Sequence, residues 1–324
     1  MRKVRKIVIC YFSIFSFKIE ITQPIKSIIL KTNNIFLTEH QSIITMSKLA
    51  DQSQLPICDN SSFLFLEILE EKEAKIVHKV YDKSQYEFIE VKKYKKVLEE
   101  GNKGFLEDIM LEDALLQEVE KIRTNQPDRN QYFLKYDGVF KDNSDQTALI
   151  LKGESGCVNL DNILEAGKVF SCPELFYAHR KMVEGFAILE ENGIATRNVT
   201  AQNIILVEDP NTDQQRFFYK IHEFGNSCQL PKNSFLVASS SLKGIMNEFT
   251  APEVVRLLVE NSPQKIEYNP FLADVYSLGL VALKMINKSW GKNEVEKGLL
   301  SMKDKFEEYQ PILELLNGML EEDL

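Results

Sequence analysis

"GIATRNVTAQNIIL", residues 193–206, decides how the rest of the chain is read. A Gly opens a turn, a short polar run follows, and an apolar strand-like stretch closes it. The order is that of a catalytic loop, yet Asn198 stands where proton transfer would need a carboxylate. Immediately before it, "SCPELFYAHRKMVEGFAILEENG" (171–193) begins with Ser and an early Pro and ends on Asn-Gly, the punctuation of a helix. Its apolar positions 175, 178, 182, 186 and 189 make one stripe. Downstream lie "YKIHEFGNS" (219–227), "TAPE" (250–253) and the nearly all-apolar "ADVYSLGLVALKMI" (273–286), which reads as a buried helix.

Toward the N-terminus the periodicity changes. "SFLFLEILEE", "AKIVHKVYD" and "YEFIEVKKY" alternate between residues 62 and 94 as strands do. Residues 105–123 have a helical period, with Leu111, Leu115, Val119 and Ile122 on one face. Two more strand-like runs follow, "YFLKYDGVF" and "TALILKG". The expected class is α+β: a small β-rich lobe with one helix over 62–151, then a larger helical lobe over 152–324.

At 324 residues, 27% charged and 44% apolar, the chain has the makings of an ordinary soluble core. The net charge is −9; residues 1–45 hold seven Lys/Arg and two Glu, leaving −14 on the remainder. An acidic body is a poor polyanion binder, which argues against nucleic acid. Five scattered cysteines (Cys10, Cys58, Cys157, Cys172, Cys228) and four unclustered histidines offer no zinc spacing, and reduced thiols fit a cytoplasmic location. Residues 1–45 lack Gly, Ala and Asp and open on "MRKVRKIVICYFSIFSF". Its apolar run is short of the ~20 residues that span a bilayer, and no small-x-small cleavage site follows. The functional start is therefore expected at Met46, with 1–45 a leader and 46–61 a linker. A membrane role is expected only if the leader is an anchor.

The order of these parts, with "ATRNVTAQN" (195–203), "YKIHEFGNS", "TAPE" and "DVYSLG" (274–279) behind a strand bearing "EVKK", resembles the protein kinase superfamily over about residues 62–324. The resemblance implies a bilobal fold. It makes Lys92 the strand lysine that holds nucleotide phosphates, with Lys93 the alternative if the register slips by one. Glu118, three residues after Leu115 and four before Ile122, is the expected helix partner of Lys92. Asn203, five residues after Asn198, falls at the place of a metal ligand, and Glu223 falls where the family has a magnesium-binding Asp. Asp274 is expected both as an N-cap and as the brace beneath the catalytic loop.

The departures from the pattern fall on chemistry. Asn198 replaces the base aspartate, removing help worth ~10²–10⁴-fold. Thr200 takes the place of a lysine near the transferred phosphate. The phosphate-covering loop reads "EKEAK", without glycine, and Glu70, Glu71 and Glu73 bring negative charge toward it. Glu90, on the face of Lys92, is expected to fill the adenine side of the pocket and to neutralise Lys92. ATP and magnesium are thus expected to bind weakly or not at all.

Arg197 is the expected dock for a phosphoserine in 239–241. Glu253 is expected to lack the arginine with which the family pairs it, the chain stopping at "NGMLEEDL" as if truncated. The expected function is that of a pseudokinase, a signalling scaffold or regulator for a protein partner the sequence does not name. The alternative is an active serine/threonine kinase with atypical motifs.

Overall fold

Short runs rich in β-branched and aromatic residues fold as antiparallel strands β1 (Phe63–Glu71), β2 (Lys75–Asp82) and β3 (Glu87–Tyr94). With β4 (Lys135–Lys141) and β5 (Thr147–Lys152) they form a five-stranded sheet ordered β1-β2-β3-β5-β4. This is a computed structural model, and it describes residues 63–71, 75–83, 87–94, 103–141, 147–152, 158–209, 217–231, 234–238, 242, 246–260, 267–289 and 309–320. The leader, the turn at 72–74 and Ser239–Ser241 lie outside the described residues.

Helix α1 (Lys103–Asn125) packs on this sheet through Ile109, Glu112, Asp113, Leu115, Leu116, Val119 and Ile122, all buried. The stripe expected through Leu111 is corrected: Leu111 is exposed, because at 100° per residue the line through 109, 112, 116 and 119 leaves it on the flank. Two acidic residues, Glu112 and Asp113, therefore sit at the centre of the buried face.

The second lobe begins with β6 (Val158–Asn159) and α2 (Leu160–Glu165), then α3 (Cys172–Glu191). Ser171 caps α3, its N–H and Oγ both donating to Glu174 at 2.8 Å in a capping box. Gly193 ends the helix at φ +74°, a backbone setting that a side chain resists. Within α3, a Cβ on Gly185 would lie 2.9 Å from Ile221 Cδ1, so glycine lets the helix close on the strand behind it.

Strands β7 (Ile194–Ala195), β8 (Ile204–Glu208), β9 (Phe217–Ile221) and β10 (Cys228–Gln229) frame the loop quoted at the outset. β6, β8 and β9 form one small sheet, and β10 pairs with β7. Further on come β11 (Val237–Ala238), α4 (Pro252–Glu260), β12 (Glu267–Tyr268), α5 (Pro270–Ile286) and α6 (Gln310–Met319).

The apolar helix α5 is buried along nearly its whole length. Its N-cap is Asn269, whose side-chain oxygen accepts from the N–H groups of Phe271 (3.0 Å) and Leu272 (3.3 Å). The capping role expected of Asp274 is thereby corrected. Asp274 is the fifth residue of the helix, past the free N–H groups that a cap serves.

One continuous core runs from Leu115 and Val119 of α1 through Phe133 and Tyr136 to Met182 of α3 and Leu280 of α5. The fold is thus bilobal α+β, with a cleft between the five-stranded sheet and the helical lobe. Among the described residues no helix is long and apolar enough to cross a membrane.

Candidate functional site

Strand alternation turns Glu90, Lys92 and Tyr94 toward the helical lobe. Lys92 is 2% exposed, with Nζ 2.6 Å from Glu112 Oε1 and 2.7 Å from Glu223 Oε1. The helix partner is therefore Glu112, not Glu118. Glu118 lies on the flank of α1, where its side chain is 39% exposed and pairs with Lys121 at 2.6 Å. Six residues of helix rotate it about 120° away from Glu112. Lys93 belongs to the opposite face, its Nζ 4.6 Å from the Phe65 ring centre, so the register falls on Lys92.

Burial pulls the Lys92 ammonium pKa down, but Glu112 and then Glu223 outweigh it and hold the pKa well above the ordinary range. Tyr94 donates its hydroxyl to Glu112 Oε2, and burial raises the phenol pKa. Tyr136 extends the network: its hydroxyl donates to Asp113 Oδ1 at 2.6 Å and its N–H to Glu120 Oε2 at 3.0 Å. Three carboxylates of α1 are thus tied to the sheet.

The register of the sheet sets a charged row beside Lys92. Glu67 faces Lys79, and Lys79 faces Glu90, on the strand face that carries Lys92. Lys79 pairs with Glu67 at 3.2 Å. Glu90 reaches across the cleft instead, its Oε1 3.2 Å from His222 Nε2, an ion-pair distance. Glu90 therefore turns to His222, while Glu112 and Glu223 neutralise Lys92. Burial lowers the His222 pKa, and the charge and hydrogen-bonding capacity of Glu90 more than offset this, leaving it raised.

Below the cleft, Asp274 braces the quoted loop as the sequence suggested. Its Oδ2 accepts from Thr196 N–H at 2.7 Å and its Oδ1 from Arg197 N–H at 2.8 Å. Burial outweighs these two bonds and pushes the carboxyl up to about 7. Arg197 takes φ +56°, and its Nε donates to the Asn226 carbonyl at 2.6 Å. Its guanidinium is turned inward, and its expected docking site at 239–241 lies outside the described residues.

Asn203 Nδ2 donates to the Asn198 carbonyl at 2.8 Å, closing the loop on itself. Asn198 lines a cavity of about 40 Å³ with Arg197, Asn247, Thr250 and Tyr268. Thr200 is buried. Glu223, at φ +69°, is tucked in where a Cβ on Gly225 would meet its Oε1 at 3.0 Å and Glu112 Oε2 at 3.2 Å. Asn203 and Glu223 thus border the same loop, but the Glu223 carboxylate reaches back to Lys92. Glu253, in the first turn of α4, is half-buried and has an interaction partner within the protein.

Sequence reasoning missed Glu112, His222, Tyr94 and the Asp113–Tyr136 contact. The spacing Ile109, Leu116, Val119 was legible and encloses Glu112. No local pattern pairs His222 with Glu90, 132 residues earlier.

Comparison with protein families matches residues 73–315 to the protein kinase domain. Among curated proteins, the MAP kinase kinase MKK1/SSP32 of Saccharomyces cerevisiae is 24% identical over 173 residues, covering 52% of this chain and 30% of that protein. The serine/threonine-protein kinase PSK1 of the same organism is 23% identical over 172 residues, covering 52% of this chain and 11% of that protein. The matches therefore span less than a third of either relative's length.

Proposed function

We propose, for a chain that belongs to the protein kinase domain family, that it is a catalytically impaired pseudokinase serving as a signalling scaffold or regulator in the cytoplasm. The observation that carries this reading is the occupation of the cleft by its own side chains. Lys92, the cation that would meet phosphate, is already held by two carboxylates at 2.6 and 2.7 Å. Beside it the Glu67–Lys79–Glu90 row and His222 put charge where a flat purine needs apolar walls.

The residues fit ATP and magnesium poorly. A polyphosphate would meet a Lys92 that already gives two of its three donors to Glu112 and Glu223, in a cleft with an acidic surplus. The carboxylate at 223 would have to share itself between Lys92 and a metal. At the reacting end, Asn198 has no basicity near neutral pH, and Thr200 brings no charge to a transferred phosphate. The partner is a protein recognised by the folded surface rather than by phosphorylation.

An active serine/threonine kinase is the competing reading, favoured by the intact Lys92–Glu112 pair. A thermal-shift titration of the full chain with ATP, with and without magnesium or manganese, separates the two. The pseudokinase reading expects no metal-dependent shift. A large metal-dependent shift, together with labelling of a protein substrate that Lys92→Met abolishes, overturns it.

A further inference from the structure

We draw no further inference here: the strongest candidate, the cavity of about 40 Å³ beneath the quoted loop that Arg197, Asn226, Tyr268 and Asp274 line, belongs to the site already described, and nothing in the structure shows what would occupy it.

Discussion

Glu90 of β3 and His222, just past β9, meet across the cleft with Oε1 and Nε2 3.2 Å apart. Each side chain comes from a different lobe, so this contact, like Lys92–Glu223, joins the two lobes with groups of the protein itself. A double-mutant cycle with Glu90→Gln and His222→Asn is expected to show a coupling on the order of 0.5–3 kcal/mol by urea unfolding. Additive losses would mean that the two groups are neighbours without being partners.

The helix partner of Lys92 can be settled by truncation. Glu112→Ala leaves a buried ammonium with one carboxylate fewer and is expected to cost about 3–5 kcal/mol. Glu118→Ala removes a solvent-exposed pair with Lys121 and is expected to cost under about 0.5 kcal/mol. Equal losses in denaturant melts would contradict the buried position of Glu112.

Asp274→Ala strips the Thr196 and Arg197 N–H groups of their acceptor in a buried setting. The expected loss is about 2–5 kcal/mol, with faster exchange at those two amides. The raised carboxyl also has a pH signature. A folded-state value of about 7, against 3.8 ordinarily, contributes stability that is full below about 3.8 and lost as pH rises through about 7. Asp274→Asn is expected to lack that component, so its stability between pH 4 and 7 should be flatter than that of the wild type. A parallel slope in both proteins would assign the effect elsewhere.

Tyr136→Phe removes the hydroxyl that donates to Asp113 and keeps the ring. Asp113 retains Gln117, which donates at 2.9 Å, so the expected cost is about 1.5–3 kcal/mol with no change of fold. Circular dichroism with chemical unfolding measures it. A loss below about 0.5 kcal/mol would mean the bond does not hold α1.

The bilobal plan was legible because its signals are local. Short strand-like runs gave β1 to β3, Ser171 with Pro173 and Gly193 bounded α3, and an unbroken apolar run marked α5 as buried. Lys92, Asn203 and Asp274 were singled out through the resemblance, each from a motif within a single segment. What escaped was set by contacts between distant segments. Glu112 was passed over because an acidic residue in a helix is read as solvent-facing until a buried cation appears, and that cation lies 20 residues upstream on a strand. Asp274 was read as a cap because the true cap, Asn269, sits behind Pro270 and outside the apolar run.

Glu112, Asp113 and Glu120 grip Lys92 and Tyr94 on β3 and Tyr136 on β4, and all three project from one rigid helix. A torque applied to the solvent side of α1 by anything that binds there is therefore delivered to two strands at once.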